Sequence, residues 1–225
     1  TMTKSVGDSM LGLTKSNFSN ITVKRYTSVH LELGALDNCD FANVFLDGEY
    51  MTTSLFAGEA QQGVHVVNQG LYSNLTSRIR RPVMNCTFTN MQSVRMLSKA
   101  MLIYLAVDCQ WIGGKFNSSQ YGIDIRSDNV NSSFLAPEIQ VSARLKFVGT
   151  EARWNEIAGI WNGGSTDLDC QKCDFSNNGQ AANNTGDALR LSGTVAISTA
   201  GYLGNNSATT VARTRPILSD CTFQD

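Results

Sequence analysis

Residues 83–90 read "VMNCTFTN", and residues 36–43 read "LDNCDFAN". Both place an apolar residue three before a cysteine, an aromatic two after it and an asparagine four after it. The phrase returns with Cys109 in "AVDCQWIG" (106–113), Cys173 in "CQKCDFSN" (170–177) and Cys221 in "LSDCTFQD" (218–225). Three copies put another residue in the cysteine slot: Ser16 in "LTKSNFSN", Leu145 in "SARLKFVG" and, more weakly, Ala200 in "ISTAGYLG". From slot to slot the spacings are 23, 47, 23, 36, 28, 27 and 21 residues. A repeat of this period points to a solenoid. The 47 reads as two periods with one copy lost between residues 44 and 82. The 36 reads as one period plus an insertion of about a dozen residues, a loop length that usually serves function. The L-x-x-L-x-L run of leucine-rich repeats is absent. Short alternating segments lie between the phrases instead: "VHLEL", "GVHVV", "YGIDIRS" and "DALRLSG". They have the period of strands.

The expected fold is all-β: a parallel β-helix of rungs of 21–28 residues with inserted loops. It forms one domain over residues 1–225, a segment of a longer chain. Equivalent slots of successive rungs lie about 4.8 Å apart, so about nine rungs make a rod of roughly 40 Å. Cysteines at one inward slot are then small buried residues in a ladder. The aromatics two positions on stack beside them. The Asn or Gly four positions on suits a bend with φ > 0 or a ladder of amides. Loops are expected over "NSSQ" (117–120), over "SDNVNSSFLAPE" (127–138) and within 44–82.

Composition agrees. Asn and Gly number 19 each against 3 Pro, as in a turn-rich β protein. A net charge of −1 with 16% charged residues lacks the basic face of a nucleic-acid or membrane-surface binder. The apolar run "AMLIYLAV" (100–107) is far too short to span a membrane. A core role accounts for all six cysteines and implies folding in a reducing compartment. A disulfide framework is the alternative. The "CQKC" stretch has no second half-site, and the two histidines are distant in sequence, so no metal or cofactor is expected. Eight N-x-S/T triplets carry no inference of glycosylation in so Asn-rich a chain.

Alternation identifies outward residues. With Leu31 and Leu33 inside, Glu32 faces out. Ile123 and Ile125 inside leave Asp124 and Arg126 out, and Leu189 and Leu191 inside leave Arg190 out. By the same rule His65 and Trp161 face out. Glu32, Asp124, Trp161 and Arg190 lie 15–17 residues past their slots, so they should share one face. An exposed Trp between a carboxylate and a guanidinium suits a sugar chain, which stacks on the ring and hydrogen-bonds the charges. A solvated sheet face with one chance Trp is the alternative. Trp161, Arg126, Arg190, Glu32 and His65 are therefore the expected substrate-binding residues. Asp124, Glu156 and Asp187 are the candidates for acid–base chemistry, among further acids at Asp128, Glu151, Asp167 and Asp169. Carboxyls one or two rungs apart span the glycosidase separations.

The "NCDF", "NCTF", "DCQW", "KCDF" and "DCTF" phrases, with strands of the "GIDI" type, resemble the pectin-lyase-like right-handed β-helices. Within that superfamily they resemble the trimeric tailspikes of bacteriophages. The resemblance implies a virion tail fibre folded in the host cytoplasm, a homotrimer that binds bacterial surface polysaccharide as a receptor and acts as a depolymerase. A secreted polysaccharide lyase or glycoside hydrolase, and a non-catalytic fibre shaft, are the alternatives. The polygalacturonase motifs N-T-D, G-H-G and R-I-K are missing, and no calcium-binding acid set is evident. Thiol titration of the denatured chain without reductant should find six free cysteines; two or fewer would contradict the core reading.

Overall fold

The structure is a computed structural model. It describes residues 13–26, 28–49, 61–67, 69–73, 77–126, 142–179, 187–191, 194–198, 209–213 and 215–223. Among these every element is a strand. Three parallel sheets recur in the order in which the repeats recur. The four-stranded sheet holds Leu13–Thr14, Leu36–Asp37, Val83–Met84 and Ala106–Val107. The eight-stranded sheet holds Asn17–Lys24, Asp40–Asp47, Thr87–Val94, Gln110–Ile112, Leu145–Val148, Asp167–Gln171 and Arg215–Ser219, with Lys115–Asn117 also on Thr87–Val94. The six-stranded sheet holds Val29–Gly34, Gln62–Val67, Lys99–Ile103, Tyr121–Arg126, Ala158–Gly163 and Asp187–Leu191. Side chains from all three sheets share one core.

In its five inner described copies, from Cys39 to Cys173, the repeated phrase is a bend followed by two buried side chains. The residue before the slot is left-handed at Lys15, Asn38, Asn85, Asp108, Arg144, Lys172 and Asp220, and the fourth residue after it at Asn20, Asn43, Asn90, Gly113, Gly149 and Asn177. Asn, Asp and Gly tolerate this conformation best, which explains their place in the phrase. The exposed asparagines also form a ladder: Asn90 Nδ2 donates to Asn43 Oδ1 at 3.0 Å, and Asn43 Nδ2 to Asn20 Oδ1 at 3.4 Å. All six cysteines are free. Each slot thiol donates to the carbonyl two residues back, as Cys86 does to Met84 at 3.0 Å and Cys109 to Val107 at 3.3 Å. The neighbouring Cys109 side chain, and then burial, raise the Cys86 pKa, so this thiol stays protonated as the donor role requires. The aromatics form the expected stack. Successive ring centroids from Phe18 through Phe41, Phe88 and Trp111 to Phe147 are 4.7, 5.2, 4.8 and 4.9 Å apart.

Three expectations are corrected. The 47-residue spacing is one level, because Asp40–Asp47 pairs directly with Thr87–Val94. The extra chain includes an antiparallel hairpin of Gln69–Ser73 and Ser77–Arg81. The copy centred on Ala200 adds no level either. Asp167–Gln171 pairs directly with Arg215–Ser219, and Thr194–Ser198 joins Thr209–Arg213 in a second hairpin. Ala200 itself lies outside the described residues. "NSSQ" is a tight turn with Asn117 and Ser119 buried, so it is no exposed loop. The 36-residue spacing is a single level as expected, with Gln110 beside Lys146; residues 127–138 lie outside the described residues.

The last two cysteine phrases have also moved. Leu145 stands in register with Leu168, a regular 23 residues on, and Phe147 with Cys170. Glu151, Asp174 and Thr222 bridge one another, which puts Cys173 and Cys221 in a second column beside Thr150. The slot cysteines thus occupy two columns rather than one. The phrase encodes a local bend, and the bend fits at more than one corner of the repeat.

Phe88 has no exposed surface and lies between two rings. Phe88→Ala should lower stability by about 3–5 kcal/mol in urea unfolding. A loss below about 1 kcal/mol would contradict a structural role for the stack.

Candidate functional site

The outer face of the six-stranded sheet brings the predicted residues together. Glu32 stands opposite His65, His65 opposite Leu102, and Leu102 opposite Asp124. Asp124 is opposite Trp161, and Trp161 opposite Arg190. These six residues form one column, which contains the four, Glu32, Asp124, Trp161 and Arg190, that their shared offset placed on one face. Asp124, Trp161 and Arg190 occupy three consecutive levels.

Two neighbours escaped strict alternation. Four of the six strands place a small residue before their first large core residue: Gly63, Ala100, Gly122 and Gly159 precede Val64, Met101, Ile123 and Ile160. A Cβ on Gly122 would lie 2.4 Å from the Gly159 carbonyl oxygen, and one on Gly63 2.4 Å from that of Ala100. Ala100 and Met101 both pack in the core, so two successive residues face in. Lys99 is thereby released to reach Asp124, and Tyr121 to reach Trp161. The recurrent Gly or Ala was the available sequence signal.

Around Trp161 the charges are ordered. The Arg190 guanidinium lies 4.6 Å from the Trp161 ring centroid, and that of Arg126 5.7 Å. The Tyr121 ring is 5.6 Å away, tilted by 34°. Arg126 and Tyr121 come from the level before and Arg190 from the level after, so the indole is flanked on both faces. A guanidinium held against a ring keeps its in-plane N–H groups for other acceptors.

Asp124 departs from expectation. It projects from the outer side of the sheet, yet its exposure is 0%. Arg126 Nε donates to Oδ2 at 2.8 Å, and Lys99 Nζ lies 3.7 Å from the same oxygen. The other oxygen, Oδ1, is buried and accepts no hydrogen bond among the described residues. Burial raises the Asp124 pKa against the pull of Arg126 and Lys99. Burial, helped by Arg126, lowers that of Lys99 against the pull of Asp124. Oppositely shifted partners in one cluster are a mark of functional sites, although structural ion pairs produce them too.

The other predicted acids stand apart. Glu156 is exposed on the turn entering the sheet, where its N–H bonds the Ser119 carbonyl. That is five positions from the level of Asp124, on the order of 15 Å along the strand. Asp187 is opposite Ala158, three positions along and two levels away from Asp124, a Cα separation of roughly 14 Å. Glu32 and His65 share the column but lie beyond Leu102, and the His65 ring packs 5.4 Å from Tyr104. Glu151, Asp167 and Asp169 belong to another face, paired with Lys115 at 3.5 Å, Arg215 at 2.8 Å and Lys146 at 3.7 Å. Asp128 lies outside the described residues.

A cleft of about 530 Å³ lies on that other face, lined by Arg144, Lys146, Asp167, Asp169, Arg215 and Ile217. Its volume would suit a ligand. Its charges, however, are paired: Asp167 with Arg215, Asp169 with Lys146, and Arg144 with Asp108 outside the lining at 2.5 Å. The aromatic column is the stronger candidate because it sets a half-buried indole between two guanidinium groups, whereas no aromatic residue lines the cleft. Comparison with protein-family models, with curated proteins and with solved structures finds no match to this chain.

Asp124→Ala would leave Lys99 and Arg126 without their shared counter-charge. Stability should fall by about 3 kcal/mol, the low end for a broken buried pair, because Arg126 is partly screened by solvent. Glu156→Ala should change it by less than about 0.5 kcal/mol. The folded chain also retains the Asp124 proton over a pH range in which the unfolded carboxyl, with its ordinary value of 3.8, has released it. The contribution of this group is therefore most favourable below that value and declines as pH rises through the raised folded value. Urea titrations of wild type and Asp124→Asn across this range should differ in that sense.

Proposed function

We propose that the chain is a segment of a receptor-binding tailspike whose three parallel sheets wrap into a right-handed β-helix. In this reading the outer face of the six-stranded sheet binds bacterial surface polysaccharide. The general right-handedness of parallel crossovers supports the handedness. The repeated phrases support the tailspike reading, and with it a homotrimer on a phage virion that folds in the host cytoplasm. One observation carries the binding site: Trp161 stands between guanidinium groups of adjacent levels, in one column with Asp124 and Arg190. The arginines would offer fixed donors to sugar hydroxyls and carboxylates, with Tyr121 and Trp161 as apolar walls.

The proposal stops at binding. Asp124 is sealed by its own cations, and the backbones of Glu156 and Asp187 stand five positions along the strand and two levels away from it, respectively. The reading therefore favours a spike that recognises glycan over one that cleaves it.

Arg190→Ala should remove the most exposed donor with little effect on folding. Trp161→Ala should weaken polysaccharide binding by about 1 kcal/mol, the scale of the cation–π contacts that hold the Arg126 and Arg190 donors in place. Calorimetric titration with purified capsular and lipopolysaccharide O-chains checks both. Wild-type affinity in the two variants would reject this face. Release of reducing ends by the wild type would show that binding is not the whole activity.

A further inference from the structure

Trp154 is a bulky residue in the left-handed region, with φ of 54°. Such a residue pays a conformational penalty that Asn or Gly does not. At the equivalent bend other levels place Arg25, Arg95 and Ser118, so nothing in the fold requires a ring there. Burial does not explain it either. Trp154 is 48% exposed, whereas Trp111 is completely buried and Trp161 half-buried.

The ring is nevertheless held. The Arg153 guanidinium lies 4.0 Å from its centroid, and Asp174 anchors that guanidinium at 3.3 Å. Arg153 N–H is fixed in turn by Asn117 Oδ1 at 2.8 Å, and Asn155 N–H by Asn178 Oδ1 at 2.9 Å. The indole thus has one face on a cation and the other open, on a turn pinned at both sides. Glu156 is exposed two residues on. Strained, exposed and firmly supported residues are typical of binding sites.

We infer that Trp154 is the ring on which a sugar of the bound glycan stacks, with the Glu156 carboxylate accepting from its hydroxyls. The inference rests on the glycan-binding reading and changes its geometry. Both faces of Trp161 are flanked, so Trp161 orders the arginines; Trp154 supplies the open face. Trp154 and Trp161 are seven residues apart along one level, so their Cα atoms are no more than roughly 25 Å apart. A single oligosaccharide chain could run from the turn onto the sheet. Its chemistry would be a hydroxyl-rich pyranose over Trp154, followed by acceptor groups, such as hydroxyls or carboxylates, at Arg126 and Arg190.

Trp154→Asn separates a recognition role from a structural one. Asn occupies the same backbone region at six other positions, so the variant should melt at the wild-type temperature or above it. Its affinity for the polysaccharide that binds wild type, taken from purified O-chains and capsular polysaccharides, should fall roughly five- to tenfold. In the wild type, saturating polysaccharide should also shield Trp154 fluorescence from acrylamide. Unchanged affinity in Trp154→Asn, or no shielding on binding, overturns the inference and leaves the Trp161 face standing. If no polysaccharide binds the wild type, the glycan reading itself fails.

Discussion

In-register stacking of parallel strands, about 4.8 Å apart, is the constraint on which the rest of this structure depends. It converts a repeated position in the sequence into a column in space. Inside, the columns are thiols and rings; on the surface, they are whatever alternation leaves outward. Stacking is possible only if each level turns at the same places. The left-handed residues at the bends meet that need, and asparagine both tolerates the conformation and bonds its counterpart one level away. Inserted hairpins leave the columns intact because each leaves and rejoins a single level.

The outer column inherits its precision from this scaffold. Arg126, Trp161 and Arg190 come from separate strands, yet neighbouring levels hold them at ring-stacking distance. The same closeness buries Asp124. A carboxylate flanked on the sheet by Lys99 and Arg126 is buried, and what looks like a surface acid becomes a structural counter-ion. A site built this way keeps donors in place at some expense of stability. The strain at Trp154 has the same character.

Much of this was legible in the sequence. The cysteine phrase marks the bends and the aromatic stack, and one shared offset identifies the column from Glu32 to Arg190. What stayed hidden depends on contacts between levels. Nothing local distinguishes a missing level from a hairpin in the 47-residue spacing, since both simply lengthen the chain. The shift of Cys173 into a second column follows from its bridging neighbours, while its phrase is unchanged. Lys99 and Tyr121 were missed because strict alternation forbids two successive inward residues. Trp154 sits at a bend where other levels carry Arg, Ser or Asn, so no single recurring residue type pointed to it.

Hydroxyl-radical footprinting of the protein with and without bound host polysaccharide is the most direct test of the central claim that the outer face of the six-stranded sheet is the recognition surface. Protection should concentrate at 121–126, 158–163 and 187–191 and on the turn at 153–156, with 145–148, 167–171 and 215–219 unchanged. Protection of the latter three segments, around the charged cleft, would contradict the account and move recognition to the eight-stranded sheet.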